Sequence, residues 1–359
     1  MVREFPRKPD SDIFIGVFMM KTAIAALFSL IFMIFHADLI TKGAAAGLLL
    51  WYSSVVPALF PFMVLSSMLS ASQGIFRLVQ PLAVIFRFSG LSPEGIYVLL
   101  TGLFCGCPMG AKTCADFLAE KRISSGEAKF LFALCNHPSP MFLTGFVYPM
   151  FASQIPLSSF VFAIYMPLLL LAIPAYWIYQ NASPCHSGIP FSSRNPGSGD
   201  TSGSAFSPDT AILDSAEILV KIGGYLIFYS ILILVIQNIP GIPDPVRLFF
   251  SGALEITTGI RSISDSLPYP YSAIAAASIF SFGGFSAMSQ TNAVIRLRRS
   301  SAEIAAPAVP NGFLQNSLCR TEKTAGLSIR QYLLWKIAHA ALTAAIMAVL
   351  TGALRFHIF

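Results

Sequence analysis

Asn136-His137-Pro138-Ser139-Pro140 puts an amide, an imidazole, a hydroxyl and two prolines inside an otherwise apolar run. Gly283-Gly284-Phe285-Ser286, followed by Ser289 and Gln290, interrupts a second such run. Lys112 and Arg261 each close a Gly-containing stretch, and Glu255 is a carboxylate within an apolar segment. Amides and hydroxyls offer hydrogen bonds to a solute, cations favour an anionic one, and an imidazole also titrates near neutral pH. This is the chemistry of binding rather than bond-making. No HExxH, no GxSxG and no paired catalytic carboxylates occur, so an enzyme is not expected. Substrate contact is expected from Lys112, Asn136, His137, Ser139, Glu255, Arg261, Gly283, Gly284, Ser286, Ser289 and Gln290.

Each of these has a plainer reading. Prolines in membrane helices can be packed kinks, and His137 can simply bond a neighbouring helix. Lys112 can snorkel to the surface, and Gly283-Gly284 can form a close helix contact. Glu255 is harder to set aside, because an ionisable group in hydrocarbon is costly. Arg261 or Lys221 is its expected partner. The six cysteines make no metal framework: Cys105-x-Cys107 is too short for a zinc pair, and no second pair follows. Phe-rich stripes such as "FLFALC" read as packing or lipid surface, so no cofactor is expected.

The elements that carry these residues must lie in a membrane. Of 359 residues, 55% are hydrophobic and 11% charged, too few charges to cover a soluble surface. The net charge of +6 sits in a few short loops, as topology determinants do, with no basic stripe to bind nucleic acid. Apolar segments of spanning length lie near 13–35, 44–71, 128–151, 157–179, 214–238, 271–295 and 331–354. The first is read as an uncleaved span rather than a signal peptide, because it is long and no clear A-x-A site follows. Two Gly-rich stretches, 94–119 and 246–267, are only semi-apolar.

Order then suggests a repeat. "GLFCGCPMGAK" (102–112) and "GALEITTGIR" (252–261) both open on Gly and close on Gly, an aliphatic residue and a cation. A broken apolar helix follows each. Lys121, Arg122 and Lys129 lie on the same expected side as Arg77 and Arg87, so the stretch 94–119 should enter and leave on the cytoplasmic face. The cation-free loop 240–245 should be outside, and Arg296, Arg298, Arg299, Arg320, Lys323 and Arg330 inside. The expected fold is an all-α polytopic membrane protein of about seven spans and two re-entrant hairpins, the second repeat inverted. The divisions are a tail and first span (1–43), a first repeat (44–180), a Ser/Gly/Pro-rich cytoplasmic linker (181–211) and a second repeat (212–359). Helices broken at mid-membrane are tolerated where they line a cavity, so both breaks and both hairpins should converge on one site.

At "GCPMGAKT", "SSGEAKFLFALCNHPSPMFLTG", "SGALEITTGI" and "FSFGGFSAMSQ" the chain resembles YlbJ/SpoVV-type sporulation integral membrane proteins. These group with nucleoside-recognition Gate-domain proteins, related to concentrative nucleoside transporters. The resemblance runs from about Ala44 to Ala353. It implies carriage of a small organic anion, dipicolinate, across the outer forespore membrane of a sporulating bacterium. The expected partners are thus that solute and the lipid bilayer, with the protein acting alone or as a homo-oligomer. A nucleoside carrier of the same fold and a non-transporting sporulation scaffold are the alternatives.

Overall fold

The computed structural model describes residues 23–71, 90–179, 208–304 and 327–356, which are helical with no strand among them. Helix α1 (Ala23–Phe35) meets α2 (Ala37–Leu50) at a bend of 99°. A π-helical stretch (Trp51–Val55) then joins α2 to α3 (Val56–Ala71). A first hairpin pairs α4 (Pro93–Cys105) with α5 (Met109–Ala119). Next come α6 (Ser125–Leu134) and the short α7 (Pro140–Phe142), which runs on as a π turn and a 3-10 turn to Met150. The long α8 (Leu157–Tyr179) and α9 (Pro208–Asn238) follow. A second hairpin pairs α10 (Asp244–Leu254) with α11 (Ile256–Ser266), then come α12 (Tyr271–Phe282), α13 (Gly284–Ile304) and α14 (Ile329–Phe356).

Local chemistry sets the ends. Ser92 caps α4, accepting from the Gly95 N–H at 3.0 Å, with Pro93 supplying the fixed φ suited to a first helical position. Ser124 caps α6 through the Glu127 N–H at 3.1 Å. The Glu127 carboxylate turns away to accept from both the N–H and the hydroxyl of Ser92, each at 2.7 Å. The two helix starts are thereby tied together. Burial pushes the Glu127 carboxyl up, against the pull of these bonds. At the other end of the chain, α12 stops because Gly283 and Gly284 take φ of 84° and 76°, a region that other residues enter at a cost.

Three apolar clusters hold the helices. One joins α4, α5 and α6 to α8 and α14 through Ile96, Phe117, Leu131, Ala175 and Tyr332. Another joins the segment after α7 to α8, α12 and α14 through Leu143, Phe160, Ile164, Phe280 and Met347. The third sets α3 and the first hairpin tip against α9. Small residues bring α2 close to α9: a Cβ on Gly43 would stand 2.9 Å from the Ile231 Cα, and one on Gly47 2.7 Å from the Ile227 Cα. Trp51 then locks the pair by donating to the Leu219 carbonyl at 2.9 Å.

Large apolar side chains point outward, among them Leu169, Ile173 and Trp177 of α8 and Leu213, Val220 and Phe228 of α9. Hydrocarbon is the solvent that suits them. Among the described residues, four helical stretches are long and apolar enough to cross a membrane: Leu157–Tyr179, Pro208–Asn238, Tyr271–Arg296 (α12 with the first part of α13) and Ile329–Gly352. These match four of the seven expected spans, and α1 with α2 makes a fifth if the bent pair counts as one. The difference from seven has two sources. Segments 13–35 and 44–71 have no loop between them, so the described part of the first meets α2 directly at the bend. Segment 128–151 is cut into α6 and α7, each too short to cross. The expected linker 181–211 lies outside the described residues up to 207, and α9 already begins at Pro208.

Candidate functional site

Both hairpins close on glycine pairs. Gly102 and Gly110 face one another across α4 and α5, a Cβ on Gly110 falling 2.9 Å from the Gly102 Cα. Both also abut the Cys135 carbonyl at the end of α6. In the second hairpin, Gly259 lies directly against the Gly252 backbone, and Gly252 against Ile279 of α12. These are the glycines that open and close the two repeated sequence stretches. Only a hydrogen at each Cα permits so close a crossing.

Each hairpin tip rests on a helix break. Gly106 (φ 75°) turns the first tip, and a Cβ there would stand 2.7 Å from both the His137 carbonyl and the Ser139 nitrogen. The Cys107 N–H donates to the His137 carbonyl at 2.8 Å, so the tip satisfies an acceptor that the break frees. At the second tip, a Cβ on Gly284 would lie 3.3 Å from the Leu254 carbonyl and 3.4 Å from the Ile256 nitrogen.

The first break also reaches the second broken helix. Asn136, 2% exposed, donates from Nδ2 to the Thr291 hydroxyl of α13 at 2.8 Å and to the Tyr332 hydroxyl of α14 at 2.9 Å. Tyr332 in turn donates to the Asn136 carbonyl at 2.8 Å. The Cys107 thiol stands 3.3 Å from the Thr291 hydroxyl. His137, 1% exposed, places Nδ1 2.8 Å from the Pro138 carbonyl and meets the Tyr165 ring edge-on. Lys336 of α14 is 3% exposed and lies near the Cys107 thiol, His137 and His339. His339 is fixed by the Ile164 carbonyl of α8 at 2.8 Å. Several buried polar atoms here have no hydrogen-bond partner among the described residues: Asn136 Oδ1, His137 Nε2, Tyr165 OH and Lys336 Nζ. Such atoms are rare in folded proteins and each needs an explanation.

Other expected site residues are placed differently. Lys112 is half-buried and paired with Asp116 on its own helix at 3.1 Å. Arg261 is exposed on α11. Glu255 is 1% exposed, yet neither of its expected cations reaches it: Lys221 pairs with Glu217 on α9. Its carboxylate instead caps α11, accepting from the Thr257 N–H at 3.0 Å and the Thr258 N–H at 2.8 Å. Backbone donors and the positive end of the helix thus replace a cation. Ser139 caps α7 through the Phe142 N–H at 3.2 Å. Gln290 donates to Ser286 at 3.1 Å, and Ser289 lies 2.7 Å from the Tyr229 hydroxyl of α9. Gly283 leaves space beside Lys336, where its Cβ would be 3.7 Å from Cε and 3.9 Å from Nζ.

Thr291, Tyr332 and Lys336 are absent from the sequence reading. Thr291 and Tyr332 look like ordinary helix residues there. Lys336 carried a usable signal, being a lone cation in the apolar run "QYLLWKIAHAAL" with His339 three residues on.

Fold and site together define an integral membrane protein of helices interrupted in pairs, with polar groups gathered at the interruptions. The chain is similar to the sporulation integral membrane protein YlbJ of Bacillus subtilis (strain 168), 27% identical over 300 residues covering 72% of this chain and 71% of the relative. That likeness supports the YlbJ-type resemblance of the motifs. No family model matches the chain. No solved structure matches it either.

Proposed function

We propose that this protein carries a small organic anion across a membrane, with dipicolinate as the leading substrate and the outer forespore membrane of a sporulating cell as the setting. One observation carries the reading. A helix break, a hairpin tip and a second broken helix meet at Asn136, Cys107 and Thr291, and polar atoms buried around that junction are left without partners. A packed kink would need no such surplus, whereas a solute site requires donors and acceptors that the protein itself does not consume. The two glycine-closed hairpins support two related halves, and the placement of cationic loops supports an inverted, re-entrant arrangement of them. The sporulation setting rests on the relative's name and the motif resemblance.

Uptake of labelled dipicolinate into proteoliposomes, with uridine as competitor, tests the proposal. Saturable uptake that uridine leaves unchanged is expected. Uptake of uridine would indicate a nucleoside carrier. Uptake of neither by correctly inserted protein would indicate a scaffold.

A further inference from the structure

Among the described residues at the junction, Lys336 is the unpaired cationic side chain whose burial the fold does not account for. Buried lysines are ordinarily paired, because an amine moved from water to an apolar interior loses strong hydration. The ion pairs of Lys112, Lys221 and Arg122 each have their carboxylate within 3.3 Å or less. Lys336 has no carboxylate among the described residues, and its Nζ has no hydrogen-bond acceptor either. Snorkelling to an interface is closed to it at 3% exposure. Around it lie the Cys107 thiol, the imidazoles of His137 and His339, and the bare backbone of Gly283. None of these is an acid that would neutralise an ammonium group in its charged form.

The remaining unpartnered atoms add detail. Asn136 Oδ1 can only accept, and so can Nε2 of a neutral His137 whose Nδ1–H donates to the Pro138 carbonyl, while Tyr165 OH can donate or accept. An occupant that satisfies all four must present an anionic oxygen to the ammonium and offer hydrogen-bonding groups to the others. Gly283 keeps the approach to Nζ open, since any side chain there would stand against the lysine.

We infer that Lys336 is the single cation that receives the solute's anionic group, so the junction reads one carboxylate or similar oxyanion and not two. The inference rests on the carrier reading above and departs from the two-cation arrangement suggested by Lys112 and Arg261. Those two are paired on the surface of a helix and exposed, respectively. A dicarboxylate would therefore place one carboxylate on Lys336 and hold the other by neutral hydrogen bonds or water.

The test uses the purified full chain in lipid nanodiscs, with dipicolinate (two carboxylates), picolinate (one) and uridine (none), and compares wild type with Lys336→Met. Both acids should bind wild type, and both should lose affinity by about tenfold or more, by similar factors, in the variant. Ligand-free Lys336→Met should melt higher than wild type, because an uncompensated buried amine has been replaced by an apolar chain of like length. Lys336→Arg should retain part of the acid binding. Unchanged acid affinity in Lys336→Met would overturn the inference while leaving the carrier reading intact. So would a much larger loss for dipicolinate than for picolinate, which requires a second cation. Failure of Lys336→Met to accumulate, with Lys336→Arg folding normally, would also overturn it, since it would make the charge structural. Wild type that binds and transports neither acid would instead remove the carrier reading itself.

Discussion

At the scale of single residues, Glu255 and Asn136 show two ways in which a buried polar group is accommodated. Glu255 spends its charge on two backbone N–H groups at the start of α11. Glu255→Ala should lower stability by about 0.5–2 kcal/mol, the range for losing an N-cap, with Glu255→Gln milder because an amide oxygen still accepts. Thermal melts check this, and uptake per folded molecule should change little in either variant. Asn136 works between elements instead. Asn136→Ala strips bonds from Thr291 and Tyr332 together and should cost about 1–3 kcal/mol, seen as a lower melting temperature alongside weaker solute binding. The sequence marks both residues as expensive to bury, and that much was legible. What satisfies them was not, because the donors to Glu255 are main-chain groups and the partners of Asn136 lie 155 and 196 residues away.

Among the elements, the interruptions and hairpins were the most readable parts, since proline and positive-φ glycine act locally. The pairing of tip with break is not written locally. Gly106 is where the two meet, and its φ of 75° adds backbone strain to the steric conflict with His137 and Ser139. Gly106→Ala should therefore destabilise by more than about 1 kcal/mol, as read by yield and thermal melts. Gly224→Ala is the control, since a Cβ there meets nothing within 4 Å. Pro138→Ala separates two roles for the first break. If the interruption serves transport, the variant should reach the membrane in normal amount and transport little. A mere packed kink would give a less stable protein with normal transport per molecule. The expected span count differs from the four or five long apolar helices among the described residues where short helices follow one another, because hydropathy sums over the break at Asn136–Ser139.

For the whole molecule, charge placement makes the sharpest claim. The basic loop around 119–129 and the cation-free loop 240–245 should lie on opposite faces of the membrane. Cysteine labelling from each side checks this, and finding both on one face would remove the inverted arrangement. All-helical architecture followed from composition and apolar periodicity. How the helices interlock did not, because α14 contributes to two of the apolar clusters, and that packing joins residues from distant parts of the chain.

The bend before α2 has a mechanical consequence. Ile24, Leu27, Phe28, Leu30, Ile34 and Phe35 of α1 are exposed, so this arm needs apolar surroundings, which the bilayer's hydrocarbon supplies. With α2 upright, an arm at 99° extends sideways within one leaflet for about 20 Å. It would act as an outrigger. Tilting the bundle to match a thinner bilayer would drive the arm into the headgroups or towards the bilayer centre, so the protein should resist tilt and thin or thicken the surrounding lipid instead. Removing residues 1–35 should relax that resistance. Polarised infrared dichroism in bilayers of graded thickness should then show helix tilt following thickness in the shortened chain and holding nearly constant in the full one.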